Sequence, residues 1–276
     1  MCLLLCAWGA HPDLDLIVAA NRDEYHQRPT APAAWWMPDE QIAGGRDLQG
    51  GGSWLALHRA GRFAALTNVR GAWAPPGAPS RGGLVAGFLQ GGLSCADYAQ
   101  QVLTTCTAYA GFNLLLGDLG LAGHPAGLHH LSNTPVPRHE QLPPGIHAMS
   151  NGTLNEPWPK LARAKARFAQ IVQHAGPVLP GHLRLDALAL VSLLRDDAVA
   201  PDHHLPTTGV PLHWERLLSA IFVKSPTYGT RCSTIAMLRA EGGGALCELS
   251  YDAEGSATSQ TAVCWQQGAI HPAAAG

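Results

Sequence analysis

Cys2 follows directly on Met1, and the enzyme that trims initiator methionines accepts a residue as small as cysteine behind it. With Met1 gone, Cys2 carries a thiol and a free α-amine on one residue, a nucleophile with its own base. The amine has an ordinary pKa of roughly 7.7–8.0 and the thiol of about 8.5, so a proton passes between them at little cost near neutrality. Two apolar runs, 3–8 and 14–20, flank the turn Gly9-Ala10-His11-Pro12-Asp13 and read as a β-hairpin. The second run ends in Asn21-Arg22-Asp23-Glu24, and the hairpin returns that polar cluster to the side of Cys2. Charged groups beside a thiol are what tunes its reactivity. A cysteine at a strand start also serves as a small core residue, so position alone leaves both readings open.

The elements that must hold these residues come from a chain of 276 residues, 46% hydrophobic and 14% charged, with a formal net charge of −2. A balance so close to neutral gives no electrostatic case for nucleic acid or an anionic membrane surface. Seven cysteines without a CxxC spacing argue against a disulfide framework or a zinc knuckle. Cys2 and Cys6, on one strand face, would stand roughly 13 Å apart, too far to bridge. Reduced thiols point to a cytoplasmic protein. The apolar start lacks the basic flank and length of a secretion signal, and no run is long enough to span a bilayer.

Residues 28–40 are Pro-rich and carry Trp35-Trp36, which reads as a loop with aromatic anchors. The run Gly44-Gly45-Arg46-Asp47-Leu48-Gln49-Gly50-Gly51-Gly52 matches no phosphate-binding fingerprint and reads as a connection where backbones approach closely. Runs 53–58 and 62–69 alternate around Arg59-Ala60-Gly61 as a second hairpin ending at Thr67-Asn68. Helices are expected from Ser80 to about Gln90, from the Ser94 cap to about Thr107, from Pro159 to about His174, and over 185–194. Strands are expected over 112–118, 127–132, 145–150, 220–224, 231–239, 244–251 and 258–265, with 201–213 an irregular, His-bearing loop. Strand hairpins at both ends with helices between them imply an α+β fold, two antiparallel sheets stacked face to face and covered by helices. No repeat or linker divides the chain, so residues 1–269 are expected to form one domain, with 270–276 a tail.

Asn21-Arg22-Asp23-Glu24 behind a Met-Cys strand resembles the motif of the NRDE proteins, the transport-and-Golgi-organisation family. Gly45-Arg46-Asp47-Leu48, Ala65-Leu66-Thr67-Asn68, Pro79-Ser80-Arg81-Gly82, Gly111-Phe112-Asn113, Ser150-Asn151-Gly152, Pro157-Trp158-Pro159-Lys160 and Tyr228-Gly229-Thr230-Arg231 extend the resemblance over almost the whole length. It implies a four-layer αββα sandwich of the N-terminal-nucleophile (Ntn) hydrolase kind. The same order is similar to the choloylglycine hydrolase and penicillin V acylase group, which implies a catalytic set of Cys2, Arg22, Asp23, Asn68, Asn151 and Arg231 and no cofactor. Those acylases separate the Arg and Asp by two residues, whereas Arg22 and Asp23 are adjacent here. Adjacent strand residues face opposite ways, so one of the pair is expected at the site, and Asp23 is the choice.

In amide cleavage Asp23 would hold the ammonium, Arg231 would favour the thiolate, and Asn68 and Asn151 would donate to the tetrahedral oxyanion, about 3–4 kcal/mol per donor. The plain structural alternative has Asn68 and Asn151-Gly152 as turn residues and Arg231 paired with Asp23. The resemblance also implies a second class of function, binding and trafficking of haem or an acyl lipid. His129-His130 and His203-His204 are then candidate ligands, and Trp35-Trp36 a candidate apolar wall. The partner is accordingly a small acyl amide, or haem or an acyl ligand, enclosed by the loops 28–40, 72–79 and 201–213.

Overall fold

In the computed structural model, residues 3–38, 40–72, 74–175, 187–239 and 241–266 are described. Met1 and Cys2 lie outside them. The strands are β1 (Leu3–Trp8), β2 (Leu16–Tyr25), β3 (Thr30–Trp35), β4 (Ile42–Asp47), β5 (Leu55–His58), β6 (Arg62–Asn68), β7 (Phe112–Asp118), β8 (Gly127–Ser132), β9 (Arg138–Leu142), β10 (Gly145–Met149), β11 (Tyr228–Leu238), β12 (Gly243–Tyr251) and β13 (Ala257–Gln266). The helices are α1 (Gly82–Gln90), α2 (Cys95–Leu103), α3 (Pro159–His174), α4 (Ala187–Leu194) and α5 (Leu212–Leu217). One antiparallel sheet runs β10-β1-β2-β11-β12-β13 and the other β3-β4-β5-β6-β7-β8-β9.

The near-continuous apolar character of β1 and β2 follows from burial on both faces. Leu4, Cys6, Leu16, Val18 and Ala20 face the second sheet, packed with Phe63, Ala65 and Leu115. Leu3, Leu5, Ala7, Ile17 and Ala19 face the helix layer of α3 and α4. On the far side, α1 and α2 cover Ala64, Leu66, Leu114 and Leu116. The result is four layers, αββα, with one core between the sheets and one under each helix pair. The expected sandwich is present.

Local signals fixed the helix starts. Ser94 Oγ accepts from the Asp97 backbone N–H at 3.1 Å, capping α2, and Pro159 opens α3 where its missing N–H costs nothing. Leu161, Ala164, Phe168 and Val172 then recur at helical spacing and bury against the first sheet.

Two expectations change. Residues 28–40 and 44–52 are not simply loops: they contain β3 and β4. A Cβ on Gly44 would lie 2.6 Å from the Ala56 Cβ, and one on Gly45 would lie 2.4 Å from the Trp54 ring. The close approach was legible, but the glycines that permit it hid the strand. Residues 220–224 are apolar because Ile221 packs under the helices, and they form no strand. β9 and α5 were not anticipated at all.

The end of β2 is fastened rather than frayed. Asn21, 0% exposed, donates through Nδ2 to the Leu194 carbonyl at 2.7 Å and the Ile221 carbonyl at 2.9 Å, and its Oδ1 accepts from Ser233 Oγ at 2.6 Å. It thereby satisfies a carbonyl at the C-terminus of α4, which has no partner within the helix. Asn21→Ala should cost about 3 kcal/mol by stranding these groups, lowering Tm by roughly 5–10 °C. Asn21→Asp should be worse, because it aims a carboxylate at two carbonyl oxygens. A calorimetric scan in which Asn21→Asp melts no lower than Asn21→Ala would contradict this assignment.

Candidate functional site

The register of β1 on β2 pairs Leu3, the first described residue, with Asn21, next to Arg22 and Asp23. Two cavities adjoin at this end of the sandwich, of about 330 Å³ and about 390 Å³. Asn68, Ala74, Arg81 and Ala110 line both. The first is polar, walled by Arg22, Glu24, Arg28, Asp47 and Ser80. The second is more apolar, with Tyr25, Val69, Ala72, Leu218 and Tyr228, and Asn151 and Arg70 at its edge. Each of the three loops expected to enclose a ligand contributes to these walls, through Arg28, through Ala74 and Pro79, and through Val210.

Arg22 and Asp23 do face opposite ways, and of the two it is Arg22 that lines a cavity. Arg22 shares the parity of Val18 and Ala20, lies 4.4 Å over the Trp54 ring, donates through Nη1 to Thr30 Oγ1 at 3.1 Å and lines the polar cavity. Asp23 lies on the face of Ile17 and Ala19, where Oδ1 accepts from Thr230 Oγ1 at 2.7 Å, and it lines neither cavity. The same Thr230 hydroxyl accepts from the Val223 N–H at 2.9 Å, so Asp23 braces the segment entering β11.

Arg231 is the extra residue of the β-bulge between Thr230 and Cys232. Its Nη1 donates to the Tyr25 carbonyl at 2.9 Å and the Arg28 carbonyl at 3.2 Å, which locks the turn bearing Arg28. It does not pair with Asp23, and burial, then the nearby charge of Arg22, lowers its pKa. Arg28 itself grips Asp47 at 2.8 Å and stands 3.7 Å from Glu24. Asp47 Oδ1 accepts from the Gln49 and Gly50 N–H groups, so the glycine-rich loop orients a carboxylate. That loop presses on the start of α1, where a Cβ on Gly52 would lie 2.2 Å from the Gly82 oxygen.

The two asparagines play different parts. Asn151 Nδ2 donates to the Asn68 carbonyl at 2.9 Å, and its own carbonyl accepts from the Arg70 N–H at 2.7 Å. Asn68 lies where the cavities meet, its carboxamide engaged by no other described side chain. Of the two, Asn68 is the better placed to donate to a ligand oxygen.

A polar row across the second sheet, absent from the sequence reading, holds the Asn151 loop. Asn113 Nδ2 donates to the Gly152 carbonyl at 2.7 Å and to Thr67 Oγ1 at 3.3 Å. Its Oδ1 therefore faces His130 Nε2, 3.1 Å away, and that nitrogen must carry the ring proton. His130 Nδ1 is 3.2 Å from Glu140 Oε1. Burial lowers the His130 pKa to about 4, with Glu140 only partly opposing it. The other described groups acting on the ring, Arg138 and His139, lower it further.

The other features weighed for binding lie elsewhere. His129 stacks on His139 with Nδ1 2.9 Å from its Nε2, and His203 and His204 are exposed on a short 3-10 turn. Trp36 Nε1 donates to the Gly44 carbonyl, and Trp35 is wedged between Trp265 and Arg59. None of these lines either cavity. Among the described residues no group of three or more His, Cys, Asp or Glu is arranged to hold a metal ion, and no helix is long and apolar enough to cross a membrane. The six described cysteines are free thiols. Burial raises the pKa of Cys6, Cys95 (to about 12), Cys106, Cys232 and Cys247, so none of these five is a ready thiolate.

A histidine buried neutral binds fewer protons in the folded than in the unfolded chain. Its contribution is complete above the unfolded pKa of about 6.5 and is lost as pH falls toward 4. Unfolding titrations should show stability dropping by roughly 2–3 kcal/mol over that window. His130→Gln, which can still donate to Asn113, should flatten the drop. An unchanged slope would remove His130 as its source.

Comparison with known proteins follows the same span. The chain is 32% identical over 251 residues to the mouse (Mus musculus) Transport and Golgi organization 2 homolog, covering 88% of this chain and 90% of that one. It is 32% identical over 257 residues to the Drosophila melanogaster Transport and Golgi organization protein 2, covering 87% and 89%. A more distant likeness relates it to a solved Caenorhabditis elegans N-acylethanolamine-hydrolyzing acid amidase ortholog, at 12% identity and a TM-score of 0.42, covering 87% of this chain and 93% of that one. A variant of the conjugated bile acid hydrolase from Clostridium perfringens stands at 9% and 0.42, covering 96% and 97%. With the family model of Transport and Golgi organisation 2 matching residues 1–253, the chain belongs to that family.

Proposed function

We propose that the protein is an amidohydrolase that uses Cys2 as an amino-terminal nucleophile on a linear N-acyl amide. One observation carries the reading: β1 begins at Leu3, paired with Asn21 of β2, beside the mouth where Arg22, Asn68 and Asn151 converge on two adjoining cavities. Leu4 and Cys6 of β1 turn toward the second sheet, as Arg22 of β2 does.

In this reading the α-amine of Cys2 takes the thiol proton as sulfur adds to the amide carbonyl. Negative charge collects on the carbonyl oxygen, to which the Asn68 carboxamide donates. The ammonium returns its proton to the departing nitrogen as the C–N bond breaks, leaving a thioester. Water, deprotonated by the same amine, then releases the acid and restores the thiol. Arg22 supplies the positive field near the thiolate. Asn151 fixes the β6 end through the Asn68 carbonyl, and Arg231 and Asp23 hold the strands around it.

The apolar cavity supports a second reading, carriage of an acyl ligand without chemistry. The haem form of that reading has little support, since His129, His130, His203 and His204 all lie away from the cavity walls.

Intact mass of active protein should show Met1 removed. Cys2→Ala should abolish turnover across a panel of acyl amides while retaining the fold, and Asn68→Ala should lower kcat by about 10²–10³. Saturable acyl-ligand binding with no Cys2-dependent turnover on any member of the panel would leave carriage as the function.

A further inference from the structure

The hairpin of β12 and β13 gathers sulfur atoms that neither cavity uses. Leu246, Val263 and Trp265 are buried toward the second sheet, so Ala245, Cys247 and Cys264, of the other parity, lie on the outer face. Ala245 pairs with Met237 of β11 on one side and with Cys264 of β13 on the other, and Cys247 follows it two residues along. Three sulfur-bearing side chains thus stand around one methyl group, the smallest side chain that a strand position carries short of glycine. Met237 belongs to the core under α3 and α4, whereas Cys247 is half-buried and Cys264 and Ala262 are exposed.

From this juxtaposition we propose that Cys247 and Cys264, with Met237 as a weaker third ligand, form a site for copper(I). The two cysteines are diagonal neighbours, because Cys247 is paired with Ala262 and Cys264 with Ala245. Diagonal Cα atoms stand roughly 7–8 Å apart, at or beyond the limit of about 7 Å that a disulfide can bridge. An ion held at about 2.3 Å from each sulfur spans more than twice the length of a sulfur–sulfur bond and reaches across that diagonal. Both thiols are free, and Cys247 Sγ is turned to β13, where it accepts from Gln260 Nε2 at 3.7 Å. On binding, each thiol releases its proton to solvent, and the singly charged ion with two thiolates makes a complex of net charge −1.

The donor set chooses the ion. Thiolate and thioether are soft ligands, which select copper(I), an ion satisfied by two or three donors. Zinc takes four, and commonly adds imidazole or carboxylate to its thiolates. The register positions around the three sulfurs are Ile235, Leu249, Gln260, Ala262 and Gln266, which supply neither group. The site is separate from the proposed nucleophile, since the opposite parity of the same strands faces the second sheet. It stands or falls independently of the amide-cleavage reading.

The test is anaerobic titration of the reduced protein with the violet copper(I)–bicinchoninate complex, whose colour fades as the protein takes the ion. The unsubstituted chain should withdraw one ion per chain, and so should Cys2→Ala, which removes the amino-terminal thiol from the count. Cys264→Ser and Cys247→Ser should each abolish that uptake. Met237→Leu, which keeps the side-chain volume, should leave the stoichiometry and weaken affinity by about tenfold. Calorimetric titration with zinc(II) should show no heat that Cys264→Ser lacks. Undiminished colour with the unsubstituted chain overturns the proposal, and that measurement needs no variant to fold. Uptake that persists in Cys264→Ser, or that is lost in Cys2→Ala, places the ion elsewhere and overturns it too. Zinc bound at these thiols as tightly as copper(I) overturns the choice of ion, and unchanged affinity in Met237→Leu overturns the third ligand.

Discussion

A strand covered on both faces must satisfy every polar side chain it carries inside the protein, because a buried group without a partner costs a kilocalorie per mole or more. β2 ends in four such residues, and strand alternation divides them. Asn21 and Asp23 turn to the helix layer and are consumed there, one by two carbonyls and Ser233, the other by Thr230. Arg22 turns the other way, onto Trp54 and into the cavity. Glu24 reaches the rim beside Arg28. The adjacency of Arg22 and Asp23 is therefore a division of labour: one charge for the cavity, one to clamp the strand that supports it.

The other half of the site is held by ties that cross from sheet to sheet. The loop after β10 belongs to the first sheet, yet its anchors are the Asn68 carbonyl, the Arg70 N–H and the Asn113 carboxamide of the second. Glu248 of β12 ties in the opposite direction, to the Ala33 N–H of β3. Apolar packing between the sheets is non-directional and tolerates small slides, whereas these hydrogen bonds do not. They fix where Asn68 stands relative to the β2 end.

Much of this was legible in the chain. The hairpin, the two stacked sheets covered by helices and the starts of α2 and α3 follow from apolar runs and turn chemistry, while the αββα layering and the motif residues were implied by the family resemblance. Which member of a polar pair lines the cavity was not, because parity shows that Arg22 and Asp23 diverge but not which face each takes. Arg81 and Asn113 stood in plain sight within Pro79-Ser80-Arg81-Gly82 and Gly111-Phe112-Asn113, without a role. Their roles come from strands far apart in sequence: Arg81 reaches Gly111, and Asn113 reaches Gly152. β3 and β4 were hidden because the Pro, Gly and Trp that read as loop are the residues a bulged edge and a close backbone approach demand.

The buried pair behind the cavity shows how the charge on Arg22 is kept available. Glu248 faces the same inter-sheet space and senses Arg22, which favours its ionised form, but burial outweighs that and raises its pKa. A Glu248 drawn into a close ion pair would neutralise the guanidinium that lines the cavity. Its oxygens are instead spent on Ala33 and Thr234, and the Cys232 thiol beside it is held protonated. The carboxyl is thus near enough to temper the cost of burying Arg22 and too committed elsewhere to quench it, and that balance leaves a buried cation facing a cavity.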